Sequence, residues 1–175
     1  MAFHLQQQLL ITLIGIYLLF QVLTEIIKMD PNFQLDQFMH DIEKDIIPNI
    51  LESFIRWDLE TLQDWCYEAA YNVLSTPLKQ AVQMGYHPDS RVLDIDNLEL
   101  VMGKMMDQGP VLVISFTAQS ILCVRDGKGT VIEGDPDKVV RVTWIWVLCR
   151  DQTELDPKAA WRLLEAGMQQ DAQFL

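Results

Sequence analysis

The spacing of apolar residues changes midway along this 175-residue chain, from a helical period before residue 86 to a period of two after it. In the first part, apolar side chains recur every fourth residue and acidic side chains fill the opposite face. The apolar stripe contains Phe38, Ile42, Ile46, Ile50 and Phe54. This pattern predicts an amphipathic helix that kinks or restarts at Pro48, because proline has no amide hydrogen to donate.

Capping residues and prolines divide the helical part further. Asp30-Pro31 predicts the start of one helix, and Asp58 predicts the start of another that runs to about residue 74. Thr76-Pro77 predicts a third, short helix, which Gly85 ends in a left-handed cap.

The second part of the chain alternates as strands do. The alternation slips by one residue near Asn97, which predicts a β-bulge in a curved strand. A long strand over 111–125, a hairpin turn over 126–129, a short strand over 130–133, a turn over 134–137 and a final strand over 138–150 predict an antiparallel meander.

The end of the chain repeats the helix signal. Asp156-Pro157 predicts a helix over 158–166, and we expect the tail from Met168 to fray. The whole pattern predicts an α+β fold, in which N-terminal helices pack on a curved antiparallel sheet of about four strands and form a cone with an apolar mouth.

Residues 1–21 form a separate apolar extension. No charged side chain occurs between Leu5 and Thr24, and about twenty helical residues span the ~30 Å of a bilayer's hydrocarbon core. The segment does not fit a secretory signal peptide, because the first lysine or arginine is Lys28 and no small-residue cleavage site follows. It does not fit a mitochondrial presequence, because it is neither arginine-rich nor amphipathic. Three interpretations remain open: a membrane anchor, a helix buried against the domain, and an artefact of the deduced sequence.

Charge and cysteine content exclude several classes of function. The formal net charge of −12 disfavours binding to the phosphates of nucleic acid. Cys66, Cys123 and Cys149 are odd in number and lack metal-binding spacing, so we interpret them as buried hydrophobic residues in a reducing compartment. No nucleotide, metal or nucleophile motif occurs, which predicts no cofactor and no bound metal.

Asp94 and Asp96 are the best acid/base candidates in the sequence. Alternate residues of a strand share a face, where burial could separate the pKa values of the two carboxyl groups. We favour the interpretation that both face water. A small cone-fold enzyme that uses them stays as an alternative.

Aromatic residues of the last long strand suggest a second kind of site. Trp144 and Trp146 share one face and are most simply core residues, although a cone lined by them could accept a lipid tail or an apolar peptide. This candidate pocket consists of Leu112, Ile114, Phe116, Trp144 and Trp146.

Six strings in both parts of the chain carry a family resemblance. They are DIIPN (45–49), DWCYEA (64–69), SRVLDIDN (90–97), MGKMMDQGPVLVISF (102–116), EGDPDKV (133–139) and LCRDQ-ELDP-AAWRLL (148–164). Together, over residues 22–175, they closely resemble the C-terminal domain of the mitochondrial inner-membrane import subunit Tim forty-four. Residues 1–21 do not take part in the resemblance.

The resemblance implies a cone-shaped fold similar to nuclear transport factor two and a scaffold without catalytic residues. It implies peripheral attachment to the matrix side of the mitochondrial inner membrane. The expected partners are import channel subunits, cardiolipin-containing membrane and the matrix seventy-kilodalton heat-shock chaperone, the last through an upstream region mostly outside the match. The alternative within the superfamily is a ribosomal protein that tethers mitochondrial ribosomes to the membrane.

Membrane contact, if it follows the family, has to be apolar here. Acidic residues dominate the leading helices, so electrostatic capture by anionic lipid is poor. The candidate membrane-proximal surface consists of Ile26, Ile27, Phe33, Phe38 and Ile42.

Overall fold

The computed structural model of the protein describes the backbone of residues 2–171 and the side chains of residues 6–168. Within this part of the chain, helices precede a single five-stranded antiparallel sheet. The helices are α1 (Ala2–Met29), α2 (Leu35–Asp41), α3 (Ile47–Ile55), α4 (Leu59–Trp65) and α5 (Glu68–Gln83). The strands are β1 (His87–Pro88), β2 (Arg91–Met106), β3 (Gly109–Arg125), β4 (Val131–Arg150) and β5 (Trp161–Asp171). The predicted α+β class is confirmed.

The sheet is a meander of long, curved strands. β2, β3, β4 and β5 pair in sequence, and β1 pairs with the part of β3 that lies beyond β2. The three central strands have 16, 17 and 20 residues, and bulges let strands of this length curve. Asn97 has a φ of 54° where the β2–β3 register shifts, so the predicted bulge is confirmed.

The helices fill the concave face of the sheet. Phe38, Ile42, Ile46 and Ile50 of the predicted stripe are buried, and Phe54 packs against them while half-buried. Between α2 and α3 the chain makes a π-helical turn over Ile42–Ile46. α3 then restarts with Pro48 in its first turn, where a missing amide hydrogen costs nothing.

Three helix boundaries predicted in the first part of the chain are wrong, at Asp30-Pro31, at Cys66–Tyr67 and at Thr76-Pro77. Asp30-Pro31 forms a turn, in which the Asp30 carboxylate accepts from the amide of Asn32, and α2 begins later. The helix that starts after Asp58 is interrupted at Cys66–Tyr67, where the Tyr67 amide donates to the Leu163 carbonyl at 2.9 Å and holds the chain extended.

The predicted break at Thr76-Pro77 is absent, because α5 runs through Pro77. Proline removes one bond of the helix, and Val73, whose carbonyl loses that donor, lies on the exposed side of α5. Gly85, with a φ of 79°, ends the helix in a left-handed conformation, as predicted.

The segment after β4 is a strand and not the predicted helix over 158–166. Asp156 caps only one turn, and residues 161–171 then pair with β4. The expectation of a frayed tail is therefore wrong for residues 168–171, whereas residues 172–175 lie outside the described part of the chain. An open strand edge on β4 supplies backbone partners that outweigh local helix signals.

The predicted turn over 134–137 interrupts no strand. Gly134 lies opposite Cys123 with a φ of 78°, and pairing resumes where Val139 faces Ile121. Residues 135–138 therefore form a wide bulge inside β4.

Replacing Asp58 by alanine is expected to lower the midpoint of thermal unfolding near neutral pH. The Asp58 carboxylate accepts from the hydroxyl of Thr61 at 2.7 Å and from its amide at 3.2 Å, and these bonds lower the pKa of Asp58. Asp58→Asn keeps a cap without the charge. The wild type is expected to have a higher midpoint of thermal unfolding than Asp58→Asn above pH ~4. This difference is lost as pH falls through the lowered pKa of Asp58. The same dependence of the unfolding midpoint on pH in the wild type and in Asp58→Asn would contradict this.

Candidate functional site

The five residues of the predicted apolar pocket lie together, but the helices cover them. Leu112, Ile114 and Phe116 have no exposed surface, and Trp144 and Trp146 are 6% and 2% exposed. The ring of Phe116 meets Trp146 edge-on with centroids 4.8 Å apart, and Phe54 meets Trp144 in the same way at 6.1 Å. The pocket prediction is corrected: these side chains are part of a filled aromatic core.

The open end of the cone is a groove of about 620 Å³ between α3, α5 and the outer parts of β3 and β4, here called the mouth groove. Its apolar wall contains Phe54, Leu78, Leu122 and Val140. Its rim carries Glu133, Asp135 and Lys138 from the β4 bulge and strand. An apolar chain with a polar end fits this lining. The sequence pattern predicts an apolar mouth but not the polar rim of this groove, because the rim depends on the bulge at Gly134.

A second groove, of about 790 Å³, lies beside the turn between α1 and α2 and is here called the aromatic groove. Its floor is a cluster of three rings, in which Phe38 lies 4.6 Å from Trp161 and 5.4 Å from Phe33 between centroids. The charged groups of its rim are Asp30, Asp41, Asp45, Asp156, Lys44 and Lys158. Because carboxylates outnumber ammonium groups, this rim favours cationic over anionic partners.

The structure buries some residues of the predicted membrane-proximal surface and leaves others at the surface. Ile26 and Ile42 have no exposed surface and Phe38 is 6% exposed, because all three pack over the sheet. Ile27 is 47% exposed, and Phe33 is half-buried beside the aromatic groove. The prediction is therefore corrected for Ile26, Phe38 and Ile42, and only Ile27 and Phe33 reach the surface.

Helix α1 has two parts with different surroundings. Its second part packs on the sheet, where Val22 and Ile26 have no exposed surface. Leu19 lies so close to β2 that a Cβ on Gly103 would approach its Cδ1 to 3.1 Å. In its first part, eight large apolar side chains are 49–69% exposed: Leu9, Leu10, Ile11, Leu13, Ile14, Ile16, Tyr17 and Phe20. Among the described helices, one stretch, Gln6–Met29, is long and apolar enough to cross a membrane.

Asp94 and Asp96 lie on the outer face of the sheet. The Asp96 carboxylate pairs with Arg141 at 3.1 Å and also accepts from Gln119. Asp94 is exposed, and its carboxylate accepts from the amide of Ile95. Neither carboxylate faces the concave side, so the enzyme alternative has no acid/base pair inside the cone.

The cysteines behave as the sequence predicts, since all three are buried. Burial raises the pKa of the Cys66 thiol to about 12 and raises the pKa of Cys149 above its ordinary value. Both thiols are therefore protonated near neutral pH and are poor nucleophiles. Within the described residues, no group of three or more His, Cys, Asp or Glu side chains could hold a metal ion.

Helices held in the concave face of a sheet of long, curved antiparallel strands define a class of protein, the cone-shaped α+β domains. Two solved structures share this fold. The intermembrane space region of the chloroplast protein ARC6 has a TM-score of 0.54 at 14% identity, and a periplasmic fragment of TraM has a TM-score of 0.53 at 10% identity. Each alignment covers 79% of this chain and all of the other chain. At these identities the likeness concerns the fold alone.

Within this class, residues 19–168 match the Tim44-like domain, and the chain belongs to that family. It is 55% identical over 155 residues to the human mitochondrial import inner membrane translocase subunit TIM44, an alignment that covers 89% of this chain and 34% of that protein. The Saccharomyces cerevisiae protein of the same name is 32% identical, over 78% of this chain and 33% of its own length. The chain thus spans about a third of the length of these relatives.

Proposed function

We propose that this chain is a scaffold domain of the mitochondrial presequence translocase, attached to the matrix side of the inner membrane. It docks on cardiolipin-containing membrane and on the import channel, and it contributes to the platform that brings the matrix heat-shock chaperone to the channel. The observation that carries the proposal is family membership over residues 19–168, together with relatives that are named as import translocase subunits.

The surface chemistry supports a scaffold that binds through shape and apolar contact. The two candidate carboxylates form surface contacts, and the cysteine thiols are buried, so the described residues present binding grooves in place of catalytic groups. The aromatic groove and the mouth groove are formed by different parts of the fold. Two partners could therefore bind at the same time.

Membrane docking in this proposal is apolar and close to α1. Ile27 and Phe33 are the surface residues that remain of the predicted set. Lys28 is the single lysine or arginine before Lys44, which leaves little positive charge for anionic headgroups. Vesicle binding is therefore expected to persist in salt at ~1 M, where the Debye length is only about 3 Å.

Isolation of the protein from solubilised mitochondria tests the proposed partner. We expect import channel subunits and the seventy-kilodalton chaperone to be recovered with it, and an unrelated matrix protein to be absent. Recovery with mitochondrial ribosomes in place of the channel would replace the proposal with ribosome tethering. Recovery of neither would reject both.

A further inference from the structure

We propose that the first part of α1, residues 6–20, inserts into the hydrocarbon of a lipid bilayer, with the membrane surface at Phe20–Gln21. The inference rests on the membrane attachment proposed above, and it moves the contact from Ile27 and Phe33 to the first part of α1. It assigns the contact to a segment that lies almost entirely outside the family match, which begins at residue 19.

The distribution of exposed side chains around α1 identifies the partner as lipid. At 100° per residue, the exposed side chains of Leu10, Leu13, Ile14 and Ile16 point in directions that together cover about half of the helix circumference, and Ile11 and Leu18 extend the apolar surface further. A groove on another protein, or a second copy of the chain, would cover one side of such a helix and leave the other in water. An exposed apolar surface that covers more than half of a helix needs an apolar surrounding on more than one side.

The polar side chains in the middle and at the end of this segment bond inside the helix, and Gln6, Gln7 and Gln8 lie together at its far end. The hydroxyl of Thr12 donates to the carbonyl of Gln8 at 2.9 Å. The amide of Gln21 donates to the hydroxyl of Tyr17 at 2.8 Å. Neither bond needs water, and a tyrosine at this position suits the membrane interface, where its hydroxyl reaches the headgroups.

The side of α1 that faces away from the sheet changes character after Phe20. Before this residue it carries Leu10, Leu13 and Tyr17, and after it the positions on the same side are Gln21, Thr24, Glu25 and Lys28. Glu25 and Lys28 form an exposed ion pair, which belongs in water. The change places the membrane surface at Phe20–Gln21.

The second part of α1 fixes the inserted part to the domain. Val22 and Ile26 are fully buried and lie within two helical turns of Phe20. Since α1 is continuous from Ala2 to Met29, the domain is held at the headgroups with little freedom to tilt. Residues 6–20 reach on the order of 20 Å into the bilayer, at 1.5 Å per residue.

A pair of matched charge substitutions in the full chain tests the inference. Leu13→Arg adds a charge to the inserted part, and Thr24→Arg adds the same charge on the aqueous side. Both positions are exposed, and circular dichroism in detergent checks that the variants are folded. The probes are vesicles of neutral phosphatidylcholine, with and without cardiolipin.

We expect the wild type and Thr24→Arg to float with both kinds of vesicle and to resist extraction by alkaline carbonate. Leu13→Arg is expected to lower the partition into vesicles by about 100-fold, the scale set by a charge at membrane depth. Equal flotation of Leu13→Arg and the wild type would overturn the inference. So would equal loss in both variants, or a mature mitochondrial protein that begins after residue 20.

The inference and the proposed function can fail separately. Retained insertion without recovery of channel subunits would reject the translocase assignment and leave the inserted helix standing. Loss of insertion with channel subunits still recovered would reject the inserted helix alone. Flotation that requires cardiolipin and is the same in Leu13→Arg would support docking through Ile27 and Phe33 without insertion.

Discussion

Replacing Phe116 by alanine is expected to lower the free energy of unfolding by about 3–5 kcal/mol, the usual range for a buried phenylalanine. Phe116 has no exposed surface, and its ring packs edge-on against Trp146 with centroids 4.8 Å apart. Truncation leaves a void beneath the helices that a close-packed interior fills only in part. Since domains are typically stable by about 5–15 kcal/mol, this loss is a substantial share of the total. Chemical denaturation followed by tryptophan fluorescence measures the change.

The matched control is Ile145→Thr on the next strand. Ile145 is 51% exposed and lies on the outer face of the sheet, so its replacement is expected to change stability by less than about 1 kcal/mol. Similar small costs for both substitutions would contradict a filled core. They would favour the pocket that the sequence suggests, in which Phe116 lines an open space.

The sequence predicted which side of each helix and strand is buried better than which element packs against that side. The stripe from Phe38 to Ile50 is buried as its period requires, and so are the inward residues of β3 from Leu112 to Ala118. Whether an inward-facing apolar residue lines an open pocket or belongs to a filled core depends on whether a helix covers it. Phe54 reaches Trp144 across the cone, and no local pattern in either segment encodes that contact.

Two prediction errors have one long-range cause. Cys66 bridges to Leu163 in a parallel arrangement, and the amide of Tyr67 donates to the Leu163 carbonyl. This contact keeps residues 66–67 extended, which interrupts the predicted helix after Asp58. It also joins the start of β5, which the cap signal at Asp156-Pro157 assigned to a helix. Residues almost one hundred positions apart set both local conformations, so local propensity could not reveal either.

The sequence left the surroundings of α1 undecided for a different reason. Its composition is compatible with burial and with membrane contact. In the structure, one continuous helix has a buried second part and an exposed apolar first part. Val22 and Ile26 are core residues, while Leu13 is 61% exposed and Phe20 is 69% exposed. Helix α1 runs without a break through residue 21, where the apolar extension was predicted to end, and its outward side changes from apolar to polar at the same place.

Replacing Gly134 by alanine is expected to disrupt the pairing of β3 and β4 and to cost at least ~2 kcal/mol more than the same change at Gly129. Both glycines have a left-handed φ, 78° at Gly134 and 84° at Gly129, so both substitutions carry the cost of about 1–2 kcal/mol for an L-residue in that conformation. A Cβ at Gly134 would also lie 1.9 Å from the Leu122 carbonyl oxygen, whereas at Gly129 it would meet nothing within 4 Å.

The difference between the two variants therefore isolates the backbone contact that forms the bulge. Since Glu133 and Asp135 flank Gly134 at the rim of the mouth groove, the same substitution is expected to change the shape of that groove. Amide hydrogen exchange would then show lost protection at Leu122, whose backbone faces β4, in Gly134→Ala and unchanged protection in Gly129→Ala. Equal unfolding free energies for the two variants would mean that the bulge accepts a side chain, and the groove would not depend on glycine at this position.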